Sequence, residues 1–254
     1  MIEYDPRLDV EGHGETVVLV PGLDGTGLLF YRQIPLIARS FRVVSYALRD
    51  EATSMTQLVE DLRRVVDRVA GEDGRAVVVG ESFGGALAMS FALAAPDRVR
   101  RLVVVNSFAH APDRLRLRLG IAALRALPWG AMTLVRRATA TQLHSPHTHR
   151  AEIERFLQLT SRASKQGYVN RLRILLEYDV RGQLADIRAP ALFLAADRDR
   201  LVPAVAQARL MGSRVPGAAV RVLEGHGHIC LISPDIDLGA ILEQWRPAAP
   251  AALG

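Results

Sequence analysis

The chain has 254 residues, of which 49% are apolar and 23% are charged, and its formal net charge is +5. Such a composition is typical of a globular protein that buries a large core. The positive charge comes almost entirely from arginine, and no basic block with interleaved aromatic residues occurs, which argues against nucleic-acid binding. A single cysteine, Cys230, excludes an internal disulfide bond.

The first residues and the hydropathy carry no targeting or membrane signal. The opening stretch, MIEYDPRLDVEG, is acidic and lacks the apolar segment of a signal peptide. No run of about 18 apolar residues occurs, so the sequence predicts neither a transmembrane helix nor stable membrane insertion. We therefore expect a cytoplasmic protein, and the sequence leaves its oligomeric state open.

Strands and helices alternate over the first part of the chain. The arm at residues 1–14 holds at most an edge strand, and the apolar run Thr16–Val20 is typical of a strand buried on both faces. Ser54 and Gln57 form a capping box before apolar residues with helical spacing, which predicts an amphipathic helix. The other elements predicted here are a helix at about 28–39 and strands at 41–47, 76–79 and 101–106.

A sharp turn follows the strand that runs into Gly80. Its sequence, Gly-Glu-Ser-Phe-Gly, has the pattern Gly-x-Ser-x-Gly between a predicted strand and a helix of small residues. Gly80 and Gly84 lack a Cβ and leave room for a strained backbone at Ser82, which lifts the hydroxyl above the sheet edge. This context is typical of a nucleophilic serine, whereas the five-residue pattern alone occurs by chance in many chains.

The alternation stops at about residue 111 and resumes at about residue 187. Between these points the sequence predicts four helices, at about 113–127, 129–143, 150–165 and 167–180. We interpret 111–186 as a helical insertion into one α/β core formed by residues 1–110 and 187–254. The core then continues with strands at 191–196 and 219–223, a helix at 203–211, and a last helix with Ser233 as its N-cap and Pro234 at its first position.

Strands that alternate with helices imply a mostly parallel sheet covered on both faces. Chemistry in such sheets lies at the carboxyl ends of the strands. This rule points to four loops, which follow Val20, Gly80, Ala196 and Leu223.

Two of these loops offer partners for Ser82. The loop after Leu223 contains His226 and His228, and His228 is the better candidate for the base because it lies deeper, just before an apolar stretch. An imidazole base needs a carboxylate that fixes its tautomer. The loop after Ala196 offers Asp197 and Asp199, and their positions alone do not separate them.

These pieces resemble the α/β-hydrolase fold superfamily along nearly the whole chain. The matching segments are VVLVPGLDGTG, GESFGG, ALFLAADRDRLVP and EGHGH. The resemblance implies Asp199 as the acid, since that residue stands four positions before proline in an Asp-x-x-Val-Pro type segment. It implies His228 as the base through the Gly-x-Gly-His pattern, and the order nucleophile, acid, base is that of this superfamily.

The insertion at 111–186 falls where the superfamily places its helical cap. The chain departs from many members in one place, because Pro21-Gly22 stands where they have His-Gly before the oxyanion loop. The segments PGLDGTG and GESFGG resemble a subgroup that includes plant plastid esterase/acyltransferases of the phytyl ester synthase type, which hints at acyl chemistry.

The resemblance implies a serine hydrolase with Ser82, Asp199 and His228 as its catalytic residues and no cofactor. The backbone N–H groups of Leu23 and Phe83 would form the oxyanion hole. We expect a small-molecule carboxylic ester with an apolar acyl or alcohol part as the substrate. Acyl transfer and thioester hydrolysis use the same triad and stay open, and a non-catalytic ligand receptor is a third alternative.

The predicted substrate contacts are less specific than the predicted triad. Besides Leu23 and Phe83, they comprise Asp24, for which an Asx-turn is the stronger interpretation, and three residues of the insertion: Leu127, Trp129 and Met132.

Three histidines of the insertion, His144, His147 and His149, fit a solvated loop better than a metal site, so no metal is expected. The arginines of the insertion fit a solvated helical face better than a partner-binding surface.

Overall fold

The computed structural model describes residues 5–111, 113–128, 130–131 and 143–245. Within these residues, seven strands form one sheet: β1 Leu8–Glu11, β2 Thr16–Val20, β3 Arg42–Tyr46, β4 Ala76–Glu81, β5 Val99–Val105, β6 Ala191–Ala196 and β7 Ala219–Leu223. Their order across the sheet is β1-β3-β2-β4-β5-β6-β7. Among these described strands, β1 runs antiparallel to β3, and the other neighbouring pairs are parallel.

Helices cover both faces of this sheet. The described α-helices are α1 Gln33–Ile37, α2 Met55–Val69, α3 Phe83–Ala94, α4 Arg114–Ala126, α5 Arg150–Thr160, α6 Lys165–Glu177, α7 Ala204–Arg214 and α8 Leu238–Gln244. Alternate residues of each strand enter two separate cores: Val78 packs with α2, α3 and α7, whereas Val77 and Val79 pack with α1 and α8. The strands are therefore buried on both faces, and the predicted mostly parallel α/β fold is confirmed.

The helices predicted at 150–165 and 167–180 are found at Arg150–Thr160 and Lys165–Glu177, and two other predicted helices differ more from the structure. The segment at 28–39 forms a 3₁₀ turn at Leu28–Phe30 followed by the short α1, instead of one continuous helix. The predicted N-cap Ser233 is wrong, since the last helix begins at Leu238 and Asp237 caps it by accepting a hydrogen bond from Ala240 N at 2.9 Å. Ser233 instead donates to the Asp235 carboxylate within a preceding turn.

Three described helices, α4, α5 and α6, lie between β5 and β6. Helices α4 and α6 pack against each other around a small core, formed by Ile121, Leu124, Val169 and Leu172. The division into a core at 1–110 and 187–254 and a cap at 111–186 stays a prediction. Most of the helix predicted at 129–143 lies outside the described residues. Within the described ranges, no helix combines the length and the hydrophobicity that a membrane span needs.

Candidate active site

Ser82 occupies a strained turn between β4 and α3. Its backbone has φ 56° and ψ −119°, a conformation that residues with a side chain rarely adopt. The turn is tight because a Cβ on Gly80 would overlap the backbone of Gly84, and a Cβ on Gly84 would overlap the carbonyl of Val20. The Ser82 N–H donates to Val105 O on β5 at 2.9 Å, which fixes the turn against the sheet.

Three side chains from three different loops meet at this turn. His228 Nε2 lies 3.0 Å from Ser82 Oγ, and His228 Nδ1 lies 2.7 Å from Asp199 Oδ2. The other oxygen of Asp199 accepts hydrogen bonds from Leu201 N at 2.8 Å and Val202 N at 2.9 Å. With Asp199 as the acceptor from Nδ1–H, His228 Nε2 is free to accept the proton of the Ser82 hydroxyl.

The rival acid and base have other partners. His226 Nδ1 lies 2.9 Å from Ser145 Oγ, and its Nε2 lies 3.4 Å from Asp235 Oδ2. Asp197 accepts a hydrogen bond from Gly225 N at 2.7 Å, so it supports the histidine loop. The structure therefore brings Asp199 and His228, and not the two rivals, to Ser82.

Burial and charge act in opposite directions on the pKa of His228. Burial lowers the pKa of His228, but the hydrogen bond and the charge of Asp199, together with the charge of Glu81, raise it more. The pKa of His228 therefore lies above its ordinary value. Burial raises the pKa of Glu81 to about 7, and the negative charges of Asp24 and Asp199 add to this effect. One oxygen of this carboxyl group, Glu81 Oε1, has no hydrogen-bond partner among the residues that the structure describes.

The loop after β2 approaches the same site. Gly25 N donates to Gly22 O at 3.0 Å, which forms a β-turn over residues 22–25. Within the described residues, neither Leu23 N–H nor Phe83 N–H donates a hydrogen bond. Asp24 accepts from Thr26 N at 2.9 Å and also from the Thr26 hydroxyl, so this carboxylate forms an Asx-turn.

A pocket of about 450 Å³ opens beside Ser82. Its lining includes Ser82, Phe83 and Leu23, and most of the other lining residues are apolar. Helices α4 and α6 contribute much of this wall, as does the loop after β6. The other lining residues are Phe108, Asp113, Arg116, Leu117, Leu172, Leu175, Arg200, Leu201, Val202 and Pro203.

Two of the other predicted substrate contacts, Asp24 and Leu127, are absent from the described lining of this pocket. Asp24 is buried in its own turn, and Leu127 directly follows α4 with 40% of its surface exposed, so the structure does not bring either to the described pocket wall. The carbonyl of Leu127 accepts a hydrogen bond from Lys165 Nζ at 2.8 Å, which keeps it at the outer end of the helix. Trp129 and Met132 lie outside the described residues.

Sequence reasoning missed Asn106, which follows β5 in the left-handed region with φ 47°. Its Nδ2 donates to His228 O at 2.7 Å, and its Oδ1 accepts from Ala196 N at 2.7 Å. Asn106 thus joins the end of β6 to the loop that carries His228. Its place at the carboxyl end of a strand is a signal that could have identified it.

Sequence reasoning also missed Arg171 on α6, whose guanidinium is 1% exposed. It donates from Nε to Leu23 O at 2.9 Å and from Nη2 to Asp24 O at 3.0 Å. Nothing in the sequence separates this arginine from the other arginines of the insertion, because burial depends on how α6 packs on the core.

The three histidines of the insertion do not gather. His144 is buried edge-on against Phe156, and within the described ranges its two ring nitrogens have no hydrogen-bond partner. Burial lowers the pKa of His144 to about 4, so this ring is neutral. His147 lies near His226, and His149 precedes α5. In the part of the chain that the structure describes, no three histidine, cysteine or acidic side chains are grouped to hold a metal ion.

Comparison with known proteins identifies relatives along almost the whole chain. The model of the "Alpha/beta hydrolase family" matches residues 17–236. The chain is 31% identical over 248 residues to "Putative carbamate hydrolase RutD" of Azorhizobium caulinodans, with 92% of each chain covered. A protein of the same name from a Caulobacter species is 30% identical and covers 90% of this chain and 89% of its own.

Solved structures share the same fold. An esterase from Thermogutta terrifontis, described as thermophilic and malate-bound, superposes with a TM-score of 0.83 and 21% identity, covering 94% of this chain and 92% of its own. The enol-lactonase from Burkholderia xenovorans LB400 superposes with a TM-score of 0.78 and 20% identity, covering 88% and 89%. At these identities the likeness concerns the fold alone.

Proposed function

Since the chain belongs to the alpha/beta hydrolase family, we propose that it is a serine hydrolase that cleaves carboxylic esters through an acyl-serine intermediate. The observation that carries this proposal is the continuous hydrogen-bonded chain from Ser82 through His228 to Asp199. A serine hydroxyl is a weak nucleophile unless an adjacent base accepts its proton. The 3.0 Å contact between Ser82 Oγ and His228 Nε2 supplies that base.

In the acylation step, Ser82 Oγ attacks the ester carbonyl carbon and its proton passes to His228 Nε2. The negative charge that develops on the carbonyl oxygen is stabilised by the N–H groups of Leu23 and Phe83. Loss of such a donor costs about 3 to 4 kcal/mol of transition-state stabilisation. The imidazolium, stabilised by Asp199, then protonates the departing alcohol, and the acyl group stays on Ser82.

In the deacylation step, His228 removes a proton from water, and the resulting hydroxide attacks the acyl-serine. The carboxylic acid leaves and the proton returns to Ser82. If an alcohol or a thiol enters in place of water, the same steps give acyl transfer, and a thioester can replace the ester. The chemistry at Ser82 is common to these reactions.

The pocket supports a substrate with an apolar acyl or alcohol part. Its volume of about 450 Å³ lies within the range of about 300–1,000 Å³ that is usual for organic ligands. Leu117, Leu172 and Leu175 give it an apolar wall formed by helices α4 and α6. Such a wall stabilises a bound hydrocarbon part by removing it from water.

Carbamate hydrolysis is a second candidate, since the relatives at 31% and 30% identity carry the name of a carbamate hydrolase. A carbamate carbonyl can be attacked by Ser82 in the same geometry. The resulting carbamoyl-serine is less electrophilic than an acyl-serine, because the nitrogen lone pair is delocalised into the carbonyl. Carbamate turnover would therefore be limited by deacylation.

The test compares matched substrates that release the same p-nitrophenol. The purified protein is assayed with the acetate, butyrate, octanoate and dodecanoate esters and with the N-methylcarbamate. The proposal expects ester turnover that Ser82→Ala abolishes, and a carbamate reaction that stops after one equivalent of p-nitrophenol or continues slowly. Turnover of the carbamate faster than every ester would replace the ester proposal with the second candidate. The ester proposal fails if the wild-type protein cleaves no ester and a fluorophosphonate leaves Ser82 unlabelled.

A further inference from the structure

A buried cation lies behind the loop that carries Leu23. Arg171 is one of the largest fully buried side chains among the described residues, and its guanidinium has three partners on two loops. Besides its bonds to the carbonyls of Leu23 and Asp24, its Nη1 lies 3.1 Å from the carboxylate of Asp50. Burying a charge is costly unless it is paired and hydrogen-bonded, and here each of the three guanidinium nitrogens has one such partner.

These contacts fix the backbone of the oxyanion loop, which is the turn at residues 22–25. Gly22 O accepts from Gly25 N at 3.0 Å, and Gly25 O accepts from Leu48 N at 2.7 Å. With the two carbonyls bound by Arg171, all four carbonyl groups from residue 22 to residue 25 are engaged. Because the peptide group is planar, the turn that holds Gly22 O also sets the direction of Leu23 N–H.

Two glycines leave the space that Arg171 and its partner Asp50 occupy. A Cβ on Gly25, which has φ 73°, would overlap the guanidinium, and a Cβ on Gly167 would overlap the carboxylate of Asp50. Asn170, which precedes Arg171, donates from Nδ2 to Asp50 O at 2.9 Å. Helix α6 therefore holds the loop after β2 and the loop after β3 through two consecutive side chains.

We propose that Arg171 is a positioning residue of the site, which aims the Leu23 N–H at the developing oxyanion. The inference rests on the proposed acyl-serine chemistry. It also ties that donor to the substrate pocket, since Leu172 and Leu175 of the same helix line the pocket. A substrate that packs on α6 thereby stabilises the helix that holds the oxyanion loop.

The experiment compares Arg171→Met with Arg173→Met. Arg173 lies on the same helix but is exposed, so the second variant makes the same change without touching the loop. Three quantities are measured: the rate at which a fluorophosphonate labels Ser82, the inhibition constant of a trifluoromethyl ketone, and kcat and KM for p-nitrophenyl butyrate. The ketone adds to Ser82 and forms an oxyanion, so its affinity reports the oxyanion donors directly.

Arg171→Met is expected to slow labelling and to weaken the ketone by about 100-fold, which is the usual effect of losing one oxyanion donor. kcat should fall in parallel while KM changes by less than about threefold, the pattern of an interaction made only in the transition state. Arg173→Met should match the wild-type protein. A folded Arg171→Met that equals Arg173→Met in labelling and in ketone affinity would overturn the inference, as would a rise in KM with unchanged kcat.

Two further measurements keep the test decisive. If Arg171→Met does not fold, Arg171→Lys replaces it, because lysine keeps the charge but cannot bridge two carbonyls as a guanidinium does. A folded Arg171→Lys with wild-type ketone affinity would also overturn the inference.

Free guanidinium added to Arg171→Ala should restore part of the labelling rate, and the absence of any rescue counts against positioning. An unlabelled wild-type protein contradicts the proposed function, whereas equal labelling of wild type and variant contradicts this inference alone.

Discussion

Asn106 Nδ2 donates a hydrogen bond of 2.7 Å to the carbonyl oxygen of His228, and this bond holds the base loop, which follows β7 and carries His228, at the end of β5. The same side chain accepts from Ala196 N at the end of β6. One amide therefore sets the position of the histidine relative to the strand that precedes Asp199. Its left-handed backbone, φ 47°, is more readily adopted by asparagine than by most other residues.

Asn106→Ala should both destabilise the protein and misplace the base. The change leaves the buried groups Ala196 N and His228 O without a partner, at a cost of about 1–3 kcal/mol each. We expect the free energy of unfolding to fall by about 3 kcal/mol and kcat to fall at least tenfold. Ser107→Ala is the comparison variant, because it removes the hydrogen bond from Ser107 Oγ to Ser82 O and keeps both bonds of the Asn106 side chain, so it reports damage to the turn at Ser82 alone. Equal kcat in wild type and Asn106→Ala, measured at saturating ester, would refute this role.

The two aspartates after β6 should respond differently to the same substitution. Asp199→Asn removes the charge that stabilises the His228 imidazolium and favours the wrong tautomer, so kcat should fall by about 10⁴-fold. In Asp197→Asn the amide oxygen can still accept from Gly225 N, and kcat should stay within about threefold of wild type. Steady-state kinetics on both variants decide the assignment. The reverse pattern would make Asp197 the acid.

The activity should fall on the acidic side as His228 becomes protonated. Only neutral imidazole accepts the Ser82 proton, and the pKa of His228 lies above the ordinary value of 6.5 because Asp199 and Glu81 outweigh the effect of burial. We expect kcat/KM to rise with pH and to reach half its plateau above pH 6.5. Glu81, with a pKa of about 7, is only partly ionised near neutral pH, so Glu81→Gln removes the smaller part of this effect and should move that midpoint to lower pH. A wild-type midpoint below 6.5 in a kcat/KM profile would contradict the account.

Charge in the pocket should also influence which esters react. Arg116 is paired with Asp113 at 3.2 Å, whereas Arg200 forms no ion pair within the described residues. The measured quantity is the ratio of kcat/KM for p-nitrophenyl esters whose acyl chain ends in a carboxylate to kcat/KM for uncharged esters of the same length. We expect Arg200→Gln to lower this ratio by about tenfold. Arg198→Gln makes the same change two residues away and outside the pocket wall, so it should leave the ratio unchanged. An identical ratio in both variants would show that Arg200 does not select the substrate.

The alternation of strands and helices determined most of what could be predicted. Because the carboxyl ends of parallel strands meet at one edge, the loops that hold Ser82, Asp199 and His228 could be placed together from the sequence. The roles of Asn106 and Arg171 could not, since they depend on which buried backbone groups lie within reach. Leu127 is one of many apolar residues in the insertion, and the sequence does not tell which of them face the pocket. The start of the last helix was misplaced because Ser233 bonds to a carboxylate in a turn and not to a helix N–H.

The acyl group on Ser82 is the most direct test of the account. The wild-type protein is mixed with p-nitrophenyl butyrate, quenched in acid within the first turnovers, digested and examined by mass spectrometry, with Ser82→Ala treated in parallel. We expect a butyryl group on Ser82 in the wild-type peptide, with no such adduct and no turnover in the variant. Ester turnover that persists in Ser82→Ala, or a butyryl group found on another residue, would contradict it.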